Sequence, residues 1–413
     1  MKRLVILGAG TAGTIVANRM AREADADWSI TVVDPAQTHL YQPGLLFLPF
    51  GARDESRMLR PRAATLDGRV VWRQDALQLV DRDARAVVLA SGERLPYDLL
   101  VIATGSEIRP AETPGLLGPE WHQSIHDFYT LDGAQALRER LDTFDRGRLV
   151  LNVVEMPIKC PVAPLEFLFL ADEFFVRKGV RDRVDLVLAT PLDGPFTKPT
   201  CNAVLSYLIA EKGIRIEAEF NTGEVDAEGH ILRSYDDRAV PYDLLVSVPT
   251  HGGAPAIEAS GLGNETGFVP THPNSLRTKV DDHVFALGDA TDLRSSKAGS
   301  VAHFQAEVVV DNLHKAAAGR SLDDGFDGHA NCFIETGFGK ALLIDFNYDV
   351  EPLPGKFPWP GIGPMDLLKE SRLNHAGKLA FRWLYWHALL PGRPLPVSSR
   401  MSMRGKVRPV AAA

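Results

Sequence analysis

The chain has 413 residues, 45% of them hydrophobic and 24% charged, with a formal net charge of −8. That is ordinary globular composition, long enough for one to three domains with a core that needs no covalent staples. The acidic balance argues against a nucleic-acid surface, and three cysteines in so long a chain are not a disulfide scaffold.

The start, Met1-Lys2-Arg3 before an apolar run, mimics a signal peptide. The run Leu4 to Leu7 is only strand length and glycines break it at once, so no signal peptide is expected. No stretch reaches the roughly 20 apolar residues that span a bilayer. The run reads instead as a buried parallel strand, followed by Gly8-Ala9-Gly10-Thr11-Ala12-Gly13, a helix to about residue 24, and a strand Ile30 to Val33 that ends at Asp34. Strand, glycine turn, helix, strand and acid at this spacing form a dinucleotide-binding fingerprint. Gly8 permits the tight turn, Gly10 lets the backbone approach a pyrophosphate, and Gly13 lets helix pack on strand. The helix N-terminus at Thr11 and Ala12 offers amides and partial positive charge to phosphates, and Asp34 is placed for a ribose.

Two later segments nearly repeat: Pro96-Tyr97-Asp98-Leu99-Leu100-Val101 and Pro241-Tyr242-Asp243-Leu244-Leu245-Val246. Each is a polar approach into a buried strand that closes a nucleotide-fold unit, so the fold class is α/β with two Rossmann-like domains. The expected division is residues 1–115 with 250–325, residues 116–249, and a separate C-terminal region 326–413. The second unit starts near Arg148 with a strand Leu149 to Val154. Where a nicotinamide site would carry a second glycine turn, this chain reads Glu155-Met156-Pro157-Ile158-Lys159-Cys160-Pro161-Val162-Ala163-Pro164, with no glycine and three prolines. Prolines delete amide donors and side chains block a pyrophosphate, so no NAD(P)H site is expected there. Cys160, after Lys159 and at a helix start, is placed to favour thiolate. Cys201, in Thr200-Cys201-Asn202-Ala203, reads as an inert buried thiol. The C-terminal region reads as strands Cys332 to Thr336 and Ala341 to Tyr348 around a turn with Gly337 and Gly339, a Pro- and Gly-rich stretch from Pro352 to Pro364, and an aromatic helix near 376–390.

Two motifs bear on which dinucleotide binds. Val101-Ile102-Ala103-Thr104-Gly105-Ser106 ends a strand in a small-residue turn, and the segment from Thr278 closes on Phe285-Ala286-Leu287-Gly288-Asp289-Ala290. Both resemble motifs of the two-domain flavoprotein disulfide reductases. The resemblance implies FAD, held along Ala103, Thr104 and Gly105, with Gly288 and Asp289 at its ribityl chain; Asp289 as a helix N-cap is the structural alternative.

The pattern Ile158-Lys159-Cys160 through Pro164, Glu166 and Phe167, with Lys297-Ala298-Gly299 and Asn331-Cys332-Phe333, is similar to the sulfide:quinone oxidoreductases over nearly the whole chain. Flavocytochrome c sulfide dehydrogenases share the cysteine pair. The resemblance implies a redox bridge between Cys160 and Cys332 beside the flavin. Sulfide would open it, leaving a persulfide on one cysteine and a thiolate on the other, so that sulfide ends as sulfane sulfur or polysulfide and electrons pass through FAD to a membrane quinone. Glu166 is a candidate proton handler, against a surface carboxylate, and Lys297 would stabilise negative charge on reduced flavin or quinone, against a solvated loop lysine. His303, on the helix after the flavin strand, reads as a satisfied core histidine, with assistance to protons as the alternative. Many members carry a third cysteine that tethers the flavin; Gln123-Ser124-Ile125-His126-Asp127 puts His126 at that place, so noncovalent FAD is expected. No metal site is read.

A quinone reductase without a spanning helix needs an interfacial surface. The stretch Gly377 to Leu390 mixes Trp, Tyr, Phe and Leu with Lys and Arg, as interfacial helices do, and Phe357, Trp359, Ile362, Met365, Leu367 and Leu368 add apolar bulk. A peripheral protein of a bacterial inner membrane is the expectation. The alternatives are a helix packed on the core or against a second copy in a homo-oligomer. Two further readings share the fold: a type-II NADH:quinone dehydrogenase, which needs the missing glycine turn, and the flavin subunit of a flavocytochrome c.

Overall fold

The computed structural model describes residues 1–51, 55–395 and 397–408. Residues up to 102 supply β1 (Lys2–Leu7), α1 (Thr11–Glu23), β2 (Trp28–Val33), β3 (Val70–Arg73) and β4 (Leu99–Ile102). Next come β5 (Ile125–His126), α2 (Leu131–Thr143), β6 (Gly147–Val153), α3 (Ala163–Lys178), β7 (Val184–Ala189), α4 (Pro199–Glu211), β8 (Arg215–Glu217) and β9 (Leu244–Val248). The chain then forms β10 (Val284–Ala286) and α5 (Gly299–Ala317).

These strands build two all-parallel five-stranded sheets, ordered β10-β4-β1-β2-β3 and β5-β9-β6-β7-β8. Their central strands are near-continuous apolar runs because a parallel sheet is covered on both faces. In the first sheet Leu4 pairs with both Ile30 and Leu99; in the second Leu149 pairs with both Leu186 and Leu244. The near-repeat in sequence has a shared physical cause. Asp98 accepts a hydrogen bond from the Arg3 amide at 2.7 Å, and Asp243 accepts one from the Arg148 amide at 2.7 Å, each across 95 residues. The tyrosine before each aspartate, Tyr97 and Tyr242, is buried. Each motif therefore locks its strand to the central strand of its own sheet, β4 to β1 and β9 to β6. Strand β10, arriving after the second sheet is complete, pairs with β4 of the first.

The remaining chain forms two antiparallel hairpins and a helix: β11 (Ala330–Gly337) with β12 (Lys340–Phe346), β13 (Gly355–Trp359) with β14 (Gly363–Leu367), and α6 (Arg372–Leu384). The Pro- and Gly-rich stretch forms a hairpin, with Pro358 opposite Pro364 across its two-stranded ladder. The aromatic helix also differs from expectation. It starts earlier, where the Ser371 hydroxyl accepts the Asn374 amide at 3.0 Å, and ends in a π-helical turn, Tyr385–Leu389. Tyr385, Trp386, Leu389 and Leu390 are buried, as is Leu367, so this end packs on the core instead of facing outward. Tyr385 is held by Thr11 Oγ1 and His39 Nε2, both at 2.7 Å from its hydroxyl, which anchors the turn behind the first glycine motif. Of the C-terminal region, residues 396 and 409–413 lie outside the described residues. Among the described residues no helix is long and apolar enough to cross a membrane.

Candidate active site

The first glycine turn is shaped by what a side chain would strike. At Gly8, with φ +91°, a Cβ would lie 2.5 Å from the Ala103 carbonyl oxygen, and at Gly13 it would lie 1.9 Å from the Gly8 carbonyl oxygen. At Gly10 it would meet no atom within 4 Å. Gly8 and Gly13 therefore serve the protein's own packing, whereas Gly10 opens onto space at the N-terminus of α1, which carries no side-chain cap. Asp34 accepts the Ala9 amide at 2.7 Å and pairs with Arg62 at 3.1 Å. The buried hydroxyl oxygens of Thr104 and Ser106 find no partner among the described residues. A groove with open amides, spare hydroxyls and an acid at the end of β2 suits a dinucleotide, so the residues present fit one.

Asp289 sits in a single 3-10 turn, Gly288–Ala290, ten residues before α5 begins at Gly299, so it does not cap that helix. Burial pushes its carboxyl up, against the pull of Lys297 and Lys159. Lys297 is not a solvated loop lysine. It is 6% exposed, its ammonium donates to the carbonyls of Asp289 (2.9 Å) and Thr291 (2.6 Å), and it stands 4.2 Å from the centroid of the Phe268 ring. Burial brings it down to about 8, so it trades a proton more readily than a surface lysine.

The proline-rich segment that replaces the second glycine turn crosses to this loop. The Cys160 amide donates to the Lys297 carbonyl at 2.8 Å, and Cys160 itself takes a left-handed backbone, φ +48°. Its carbonyl accepts the Ala163 amide at 2.8 Å, which starts α3. Cys332 lies within β11, opposite Ile344. Both cysteines are free thiols packed on one core, and both lie in the field of Glu166 and Lys378. Cys201 is fully buried on α4, with its thiol raised to about 12 by burial.

The thiolate expectation is reversed. Burial and then the Glu166 carboxylate push the Cys160 thiol well up, and burial lifts Cys332 to about 11. Lys159 does not help, because its ammonium lies in the field of Asp289, Asp127 and Glu107 instead. The cation that faces Cys160 is Lys378 of α6, a residue its sequence neighbours mark as interfacial. Its ammonium donates to Glu166 Oε1 at 2.7 Å and to the Phe333 carbonyl at 3.0 Å. Glu166 is no surface carboxylate: it is 0% exposed, the same oxygen accepts the Glu335 amide at 2.8 Å, and its Oε2 has no partner among the described residues. Burial raises Glu166, with Lys378 opposing, while Lys378 is held charged against burial by Glu166 and Cys160.

The histidines divide. His126 hydrogen-bonds the Gln123 carbonyl at 2.9 Å, and burial lowers it to about 4. His303 is fully buried as expected, yet among the described residues neither ring nitrogen finds a hydrogen bond, and Glu307 stands 3.6 Å away. Sequence reasoning missed Lys378, Glu335, His375 and the buried, unpartnered Tyr129 hydroxyl near Cys160. No local pattern announces them, since the Lys378–Glu166 bond spans 212 residues.

Residues 2–151 match the pyridine nucleotide-disulphide oxidoreductase family. With the two parallel sheets and this site, the fold defines an oxidoreductase of the two-Rossmann-domain, flavin-dependent class. Within that class the chain is a relative of the sulfide:quinone oxidoreductases. It is 27% identical to the mitochondrial sulfide:quinone oxidoreductase of Dictyostelium discoideum, across 95% of this chain and 86% of that one. It is 24% identical to the Mus musculus protein of the same name, across 94% and 86%. The crystal structure of sulfide:quinone oxidoreductase from Aquifex aeolicus shares the fold, with a TM-score of 0.80 over 95% of this chain and 92% of that one at 18% identity. A type II NADH:quinone oxidoreductase of Haemophilus influenzae matches at 24% over only 76% of this chain, so that alternative is not favoured.

Proposed function

We propose that this enzyme oxidises sulfide at a Cys160–Cys332 pair and passes the electrons through noncovalent FAD to a membrane quinone. The observation that supports the reading is that Cys160 and Cys332, both partly buried against one core, lie in the field of the same Glu166–Lys378 pair, beside the Lys297 loop that Cys160 bonds. The glycine turn from Gly8 to Gly13, Thr104, Asp289 and Lys297 would hold the FAD, which supplies a two-electron acceptor when bound. Hydrosulfide attacks one sulfur of the oxidised pair; a new S–S bond forms, the old one breaks, and one cysteine becomes a persulfide while the other leaves as thiolate. Cys332, the less elevated thiol, is the better leaving group. Lys378 offsets the negative charge, and Glu166 handles the proton. The segment from Glu155 to Pro164 is committed to holding Cys160, which supports a reductant other than a nicotinamide. Anaerobic mixing with sulfide should bleach the flavin, and quinone should restore its colour; NADH bleaching it instead would overturn the reading.

The groove itself offers a clean test of FAD binding. Gly10 has an extended backbone, φ −68° and ψ −162°, that valine tolerates. Gly10→Val should therefore fold normally yet purify colourless, because its side chain fills the space a pyrophosphate needs. Retained flavin absorbance would place the cofactor elsewhere.

The membrane reading rests on an outward apolar face. Trp359 and Ile362 crown the β13–β14 hairpin, and Leu373, Leu379 and Trp383 line α6, whose polar Asn374 and Lys378 point inward. Each large apolar side chain moved out of water contributes about 1.5–3 kcal/mol. Trp359→Ser with Ile362→Ser and Trp383→Ser should thus weaken partition onto anionic vesicles by roughly a hundredfold or more. Unchanged partition, or loss of a dimer instead, would assign the face to another copy of the chain.

A further inference from the structure

The π-helical turn that ends α6 closes a second cavity, toward the C-terminal end of α1. Its volume is about 360 Å³, and Arg22, Arg60, Arg393, Asn18, Asp67 and Trp386 line it. Asn18 and Arg22 stand about 12 and 18 Å along α1 from Gly10, at 1.5 Å per residue, so the cavity is separate from the glycine turn.

Its walls are pinned in place. The Asn18 side chain donates to the carbonyls of Thr65 at 2.9 Å and Leu390 at 3.0 Å, and its oxygen accepts the Asp67 amide at 2.8 Å. Arg22 donates to the carbonyls of Pro391, at 2.6 Å, and Gly392. Arg60 lies over the buried Trp386 ring, its guanidinium carbon 4.3 Å from the centroid. Three cations thus face one carboxylate, in a chain whose formal net charge is −8. That carboxylate is engaged, since Asp67 Oδ1 accepts the Arg69 amide at 2.9 Å. Glu23, the acid beside Arg22 in sequence, pairs with Arg19 at 3.2 Å. Burial lowers Arg22, and Arg19 and Arg393 add to this against Glu23 and Asp67. Like charges gathered with so little compensation favour an anion, and the planar fork of arginine matches phosphate oxygens two at a time.

The cavity adjoins the apolar face of α6. Trp383, 65% exposed, stands one turn before Trp386 and stacks on the exposed His387 ring at 4.9 Å between centroids. We propose that Arg22, Arg60 and Arg393 form a binding site for a phosphate ester, filled by the headgroup of an anionic phospholipid. The phosphate enters among the guanidinium groups, while the acyl chains run along Trp383 and Leu379. Three converging cations fix where the phosphate sits, so the enzyme takes one orientation on a bilayer. The cavity and its charge rest on geometry; the lipid as the source of the phosphate rests on the proposed membrane face.

The test uses the full-length holoenzyme and two probes. Glycerol phosphate, followed by phosphorus NMR line broadening, reports on the cavity without a bilayer. The parent should bind it saturably, and Arg60→Gln with Arg393→Gln should weaken that binding by about tenfold or more. Arg372→Gln with Arg382→Gln removes the same charge from exposed positions of α6 outside the cavity and should leave it unchanged. Vesicles of phosphatidylcholine, with and without phosphatidylglycerol, then identify the source. The cavity pair should erase most of the gain in partition that phosphatidylglycerol gives the parent, and the control pair should keep most of it. Equal losses in the two pairs would reduce the arginines to diffuse charge and overturn the site. Glycerol phosphate binding without any gain from phosphatidylglycerol would overturn the lipid as the source. Retained flavin colour and unchanged sulfide bleaching in the cavity pair show that the fold survives. If the parent ignores vesicles of both compositions, the membrane reading falls, and glycerol phosphate still decides the cavity: no binding there overturns it.

Discussion

Cys332→Ser is expected to slow sulfide-driven flavin bleaching by about a thousandfold or more, the scale on which covalent catalysis collapses when a nucleophile is lost. Serine keeps the size of the side chain but cannot form an S–S bond, so hydrosulfide has no bridge to open. Cys160 then remains as a lone thiol whose ionisation is opposed by desolvation and by Glu166. Cys160→Ser should do the same. Cys201→Ser is the control: that thiol is buried on α4, raised to about 12, and should leave bleaching unchanged. The measurement is flavin absorbance after anaerobic mixing, and equal bleaching in the parent and in Cys332→Ser would end the scheme.

Lys378→Met should destabilise the fold in a way that depends on pH. Removing one partner of a buried ion pair costs about 3–5 kcal/mol when the other stays charged. Glu166 avoids part of that cost by keeping a proton, because burial already raises its carboxyl and Lys378 is the group that holds it down. In the variant the folded state binds a proton that the unfolded state releases above its ordinary carboxylate range. Stability is therefore full in acid and falls as pH rises from that range toward the raised value in the fold. Urea unfolding of Lys378→Met should show a midpoint close to the parent near the acid end and well below it at neutral pH. Adding Glu166→Gln should flatten the difference. A deficit independent of pH would mean that Lys378 acts by packing alone.

The nucleotide cradle was legible because it is local. The strand, the turn from Gly8 to Gly13, α1 and Asp34 occur in one stretch, where Gly8 and Gly13 answer to clashes with Ala103 and with the turn itself and Gly10 leaves open space. The second unit was legible through its repeat, since Asp98 and Asp243 perform the same lock on Arg3 and Arg148. The hairpin at β13 and β14 was hidden by proline and glycine, whose local preference is for turns and which pairing between the two strands overrides. The inward face of α6 was hidden for a different reason. Lys378 among Trp, Tyr and Phe reads as an interfacial lysine until Glu166, from a helix far away in sequence, is brought against it.

By itself the order of residues determined that the chain builds two nucleotide-type folds, that one glycine turn is intact and the other lost, and which two cysteines to watch. Those conclusions depend on neighbours within a few dozen positions, where backbone geometry links spacing to shape. Tertiary structure alone decided the ionisation of the site. Lys159 and Cys160 are adjacent, but the backbone turns left-handed at Cys160, and the lysine lies in the field of Asp289 while the cysteine lies in that of Glu166 and Lys378. Desolvation and charge pairing depend on which atoms surround a group, and here those atoms come from α3, β11 and α6, which only folding brings together.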